Sequence, residues 1–266
     1  TRYWRDWSSD VCSSDLYTPE PDHKTLTVRE KLVGSAGSFC IISGLPKSGK
    51  TLFTSALLAS GLHPGDFFQI KLHLPEKRNR IAYFDTESTL YDHWRTLERI
   101  RKFTNYTTLP EYFDSYTLRE CDHRIIKLMI TEYLKRHPDC SVLVLDGLLD
   151  IILNFNDESE CKEVIQFMKQ ITARHNILLI GILHLGKKDK ETIGHLGSAT
   201  DRYAQSTLLV EKDKENNCMK LSARFMRSDA DFDPVAIMNN AGAWHELDII
   251  PQTKAPAYSR GSKKPN

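Results

Sequence analysis

Residues 38–60, SFCIISGLPKSGKTLFTSALLAS, decide how this chain is read. The first six are a short apolar run bounded by glycines, which reads as a buried strand. The last ten, residues 51–60, read as a helix closed by Gly61. Between them Gly44-Leu45-Pro46-Lys47-Ser48-Gly49-Lys50-Thr51 satisfies G-x-x-x-x-G-K-[ST] at every position, in the strand-to-helix context that turns the pattern into a site. Glycines let backbone N–H groups converge on phosphate oxygens, and the helix start adds partial positive charge. Lys50 is expected to reach the β- and γ-phosphates, and the Thr51 hydroxyl to ligate Mg²⁺. ATP and Mg²⁺ are thus the expected ligands, with Gly44, Leu45, Pro46, Lys47, Ser48, Gly49, Lys50, Thr51 and Leu52 as nucleotide contacts.

A metal held against phosphates needs a carboxylate at the tip of a neighbouring buried strand. SVLVLD, residues 141–146, ends four consecutive apolar residues in Asp146, the expected second metal ligand; Asp150 is a weaker alternative a turn further on. Hydrolysis also needs a group that orients or deprotonates water. IAYFDTE, residues 81–87, is an apolar strand ending in two acids, and Glu87, past the tip, is the candidate base, with Asp85 competing. His184 closes ILLIGIL, again at a strand's carboxyl end, where open α/β sheets bind ligands, and is a candidate γ-phosphate sensor.

Apolar strands alternate with helices along the rest of the chain, which predicts an α/β fold with a mostly parallel central sheet covered on both faces. Residues 27–34 read as a short helix leading to the core. Residues 67–74 and 80–84 read as a hairpin around a polar turn, and residues 90–103 as a helix packing Leu90, Trp94, Leu97 and Ile100. A weak strand follows at 112–117, then helices at 122–136 and 158–175. Later strands are expected at 206–211, 219–223 and 243–246.

The 266 residues, 40% hydrophobic, suffice for one such domain with tails. A net charge of +1 excludes a global basic field, so any nucleic-acid surface must be local. No run of about 18 apolar residues occurs, so no membrane contact is expected. Six cysteines without CxxC spacing read as reduced thiols, and the expected location is the cytoplasm.

Residues 6–16, DWSSDVCSSDL, match codon by codon the conceptual translation of a common sequencing-library adapter, so residues 1–16 are set aside as artefactual. Removing their two arginines and three aspartates leaves the charge near neutral. The gene fragment would then begin near Tyr17, without its native N-terminus or any upstream domain. The expected organisation is a linker and lead-in over 17–34, the ATPase domain over 35–249, and a disordered basic tail over 250–266 with Lys254, Arg260, Lys263 and Lys264.

With these residues placed, the chain resembles the RecA-like P-loop ATPases, and within them the RepA/DnaB-type replicative-helicase branch and related mobile-element ATPases. The resemblance spans residues 38 to 246 and rests on GLPKSGKT, YFDTE, SVLVLDG, GILH, TIGHLGSATDR and KLSARFMRS, in that order. It implies an acidic catalytic residue at Glu87, a phosphate sensor at His184, and arginines acting on a neighbouring subunit's ATP, Arg227 preferred and Arg224 second. It further implies a homo-oligomer, in some relatives a hexameric ring. In the resembling proteins, loops at this place face the channel and hold single-stranded DNA, which implies such a loop over residues 186–202 with Lys187, Lys188 and Lys190 as phosphate contacts. The sequence departs from the DnaB pattern at His184, where glutamine is usual, and in its Arg-x-x-Arg spacing. The expected activity is that of a DNA-stimulated, RepA-like helicase ATPase of plasmid or mobile-element replication. The alternatives are a recombinase-like or regulatory RecA-type ATPase that unwinds nothing, and a small-molecule kinase using the same cradle.

Overall fold

A computed structural model describes residues 23–65, 67–186, 194–240 and 243–247. The chain opens with β1 (Lys24–Val28) and β2 (Lys31–Ser35), then β3 (Phe39–Gly44), α1 (Lys50–Leu62), β4 (Ile70–Leu72) and β5 (Arg80–Asp85). There follow α2 (Leu90–Thr104), β6 (Phe113–Thr117), α3 (His123–Arg136), β7 (Cys140–Asp146), a 3₁₀ turn (Leu148–Ile151), α4 (Glu158–His175) and β8 (Leu178–His184). The last elements are α5 (Gly194–Tyr203), β9 (Ser206–Asp213), β10 (Cys218–Met226), β11 (Val235–Asn240) and β12 (Ala243–Glu246).

Nine strands form the central sheet in the order β12-β11-β10-β9-β3-β8-β7-β5-β6. From β9 to β6 neighbours run parallel, and β9 to β12 form an antiparallel extension. Strand alternation divides the core. Cys40, Ile42, Tyr83 and Val144 face α1 on one side, while Ile41, Phe84 and Leu145 face α3 and α4 on the other. Helices therefore cover both faces, as the alternating pattern predicts.

Register then positions the chemistry. Gly44 pairs with His184, Asp85 with Asp146, and Asp146 with Ile182, so these strands finish together at one rim of the sheet.

Three local expectations are corrected. Residues 27–34 are not helical: β1 and β2 form a hairpin, and β1 also pairs with β4 in a separate three-stranded sheet. Leu26, Val28 and Val33 are buried in the main core, so this part of the expected lead-in belongs to the folded unit. The hairpin expected over 67–84 does not form, because β4 joins that small sheet while β5 enters the central one between β7 and β6. On α2 the buried stripe is His93, Thr96, Ile100 and Thr104, which leaves Leu90 73% and Trp94 48% exposed. The polar stretch after His184 becomes helical from Gly194 onward; Lys187, Lys188 and Lys190 lie outside the described residues, as do residues 1–22 and the tail.

Side-chain contacts tie the two sheets together: the Ser206 hydroxyl of β9 donates to the Val33 carbonyl of β2 at 2.6 Å. At the β1–β2 turn Arg29 pairs with Glu246 of β12 at 3.1 Å, and its N–H donates to the Gln69 carbonyl at 2.9 Å.

Candidate functional site

The loop between β3 and α1 has little freedom. A side chain at Gly44 would stand 2.5 Å from the Val210 carbonyl oxygen, and Gly49 has φ +105° with its open side against the Met219 sulfur. Inside this turn the Lys50 ammonium donates to the carbonyls of Gly44 and Leu45 and to His184 Nδ1, each at 3.0 Å. Its three N–H donors are all engaged. Burial lowers the Lys50 pKa, opposed by the charges of Glu87 and Asp146.

His184 continues the chain. Its Nε2 lies 2.9 Å from Glu87 Oε2. A neutral imidazole protonated at Nε2 satisfies both contacts, donating to the carboxylate and accepting from Lys50 at Nδ1. Lys50, His184 and Glu87 thus form one line across the rim.

Asp146 stands beside it, buried, accepting from the Tyr83 hydroxyl at 3.1 Å. Burial, with the negative charges of Asp85 and Glu87, pushes its pKa up to about 7. Such an acid is short of a positive partner. Lys50, Thr51, Glu87, Asp146 and His184 all line one cavity of about 300 Å³.

The competing acids are committed elsewhere. Asp85 is fully buried and receives the amides of Glu87 and Ser88 and the His93 ring. Burial raises its pKa, but the His93 and Ser88 hydrogen bonds outweigh this and hold it below the usual carboxylate value. Asp150 takes the Thr86 hydroxyl at 2.6 Å. Leu52 lines the cavity but packs its side chain into the core, while Leu45, Pro46, Lys47 and Ser48 flank a second cavity with Lys212 and Lys214.

Arg224 and Arg227 are not brought to this rim. Met226 pairs with Ser206, and Ser206 with Cys40, so both arginines sit toward the amino end of β3, away from their own chain's cradle. Arg224 lies 3.5 Å from Asp201, and Arg227 is exposed. Conversely, Arg99, Met219 and Trp244 complete the cavity wall without belonging to any motif. Arg95 and Lys102, four residues before and three after Arg99 on α2, hinted at a basic helix face there.

The residues fit a magnesium nucleotide. The Ser48 hydroxyl is buried without a hydrogen-bond partner, and side chains on Gly44 or Gly49 would meet the cradle's own walls. Among the described residues no cluster of three or more His, Cys, Asp or Glu forms a metal cage. One carboxylate and one hydroxyl, completed by phosphate oxygens, is the Mg²⁺ pattern instead.

A family model described as an AAA domain, AAA_25, matches residues 15–190, a span holding the loop, Glu87, Asp146 and His184. The chain belongs to this AAA-domain family. None of the curated proteins matches it in sequence. Among solved structures it is similar to a KaiC-like protein of the hyperthermophilic archaeon Pyrococcus horikoshii OT3, at 14% identity and TM-score 0.59, over 86% of this chain and 100% of that one. It is also similar to a RadB recombinase, at 15% identity and TM-score 0.50, over 80% of this chain and 92% of that one. At such identities the likeness concerns the fold, which is the RecA-like P-loop ATPase fold. No described helix is long and apolar enough to cross a membrane.

Proposed function

We propose that this AAA domain binds ATP with Mg²⁺ in the cavity around Lys50 and hydrolyses it, as a DNA-stimulated ATPase assembled from copies of itself. The observation that carries the reading is the Lys50–His184–Glu87 line beside Asp146. Loop amides and the Ser48 hydroxyl would bind phosphate oxygens, and Lys50 would exchange its internal acceptors for them. Thr51 and Asp146 would hold Mg²⁺, which supplies charge neutralisation at the phosphates. Glu87 orients a water and takes its proton, while His184, touching both Glu87 and Lys50, senses whether the lysine is engaged by phosphate.

In this reading Arg224 and Arg227, which lie away from their own chain's cradle, would act on a neighbouring subunit's ATP. The RepA-like helicase form rests on the motif order. The fold shared with a RadB recombinase gives equal support to a recombinase-like ATPase without unwinding.

Lys50→Ala is expected to lower ATP turnover at least ~100-fold, and single-stranded DNA to raise the wild-type rate. Turnover indifferent to DNA at low salt would count against a DNA partner, and a strand-displacement assay separates helicase from recombinase. Mixing Lys50→Ala with Arg227→Ala subunits should restore activity if sites are shared; no restoration contradicts the shared site.

A further inference from the structure

Beneath the cavity lies a buried polar network that the proposed reaction does not itself use. Asp85 Oδ1 accepts the backbone N–H of Glu87 at 3.1 Å and of Ser88 at 2.9 Å. Its Oδ2 accepts from His93 Nδ1 at 3.0 Å and lies 3.4 Å from the Tyr83 hydroxyl oxygen. His93 Nε2 meets the Ser115 hydroxyl at 2.7 Å, and its ring stacks on Tyr83 with centroids 5.4 Å apart and planes 5° from parallel. Tyr83 in turn reaches Asp146.

The contact with the Asp85 carboxylate places a proton on His93 Nδ1, and in the neutral ring leaves Nε2 as the acceptor for the Ser115 hydroxyl. The order Ser115–His93–Asp85 is also that of nucleophile, base and orienting acid. Here, however, the acid's other oxygen is committed to two loop amides, and Ser115, on β6, is not among the residues that line the nucleotide cavity.

What the network does hold is the backbone under Glu87. The Glu87 side chain is 38% exposed, so contact with His184 alone leaves it rotamer freedom. Two amides anchored on a buried carboxylate remove the freedom of the main chain beneath it. That carboxylate is held in turn by an imidazole on α2, locked between Tyr83 and Ser115.

We propose that His93 is a positioning residue: by fixing Asp85 it fixes the backbone of residues 87–88, and so aims Glu87 at His184 and the cavity. The proposal rests on Glu87 acting as the base of the ATPase described above. Tyr83 also touches this mount, its hydroxyl donating to Asp146 at 3.1 Å and lying 3.4 Å from Asp85 Oδ2.

The test uses amide hydrogen exchange at Glu87 and Ser88 in the full chain, together with steady-state ATPase kinetics. His93→Ala is expected to speed exchange at both amides about tenfold or more, and to lower kcat about 10- to 100-fold, with KM for ATP within about twofold. His93→Asn, whose amide nitrogen can occupy the Nδ1 position, should restore both exchange protection and kcat. His93→Gln, which reaches the Nε2 position instead, should restore neither. The Asn and Gln pair decides the matter even if the Ala chain does not fold. Unchanged exchange in the Ala chain, or equal behaviour of Asn and Gln, overturns the positioning role. A wild-type chain that hydrolyses no ATP overturns the function instead, since the exchange pattern is read without nucleotide.

Discussion

Gly49 shows how narrowly single residues are specified at the loop. Its φ of +105° is strained for any L side chain, and a methyl there would run into the Met219 sulfur. Gly49→Ala is expected to cost about 1–3 kcal/mol, read as a lowered urea midpoint, with nucleotide affinity falling alongside. Asp85 gives a prediction in pH. Its folded pKa lies below the unfolded value of 3.8, so its ionised form stabilises the fold above that value. The advantage disappears as pH falls through the folded pKa. Wild type should therefore exceed Asp85→Asn in stability most clearly at neutral pH, with the gap closing below pH 3.8 in paired thermal melts. The motif residues could be read locally because eight consecutive positions carry the whole requirement. The commitment of Asp85 to His93 could not, since it depends on α2 laying its fourth residue against a strand tip.

At the scale of elements, Gly61 does not close its helix as expected: it lies inside α1, which runs to Leu62 with His63 as its cap. Asp122 closes the start of α3 by accepting from the amides of Arg124 and Ile125. Asp122→Ala should lower the denaturant midpoint, because the two amides it accepts from lose their partner. The strands β3, β5, β7 and β8 were legible because buried parallel strands are near-continuous apolar runs. The buried face of α2 was not, because His93, Thr96 and Thr104 are polar and reach the interior by bonding Asp85 and their own helix carbonyls. The β1–β2 hairpin escaped for a different reason. Its turn places Arg29 and Glu30 at φ 47° and 64°, a conformation normally announced by Asn-Gly or Gly-Gly. Phe68 and Gln69 repeat this at φ 58° each, which hid the approach to β4 as well.

Taken whole, the molecule collects its acids, histidine and lysine at one rim because neighbouring parallel strands end on the same side. The small sheet is part of that unit rather than an appendage. Leu26→Ala, at a fully buried position, should cost about 2–5 kcal/mol and still leave a single unfolding transition; two separate transitions would detach the small sheet from the core. The clasp between Arg29 and Glu246 carries a further consequence. β12 is only four residues long, yet Trp244 forms a wall of the cavity while Glu246, two positions on and on the same side of the strand, grips the hairpin turn. Both duties fall within one four-residue strand, so a ligand that shifts Trp244 is expected to change amide exchange at the Arg29 turn.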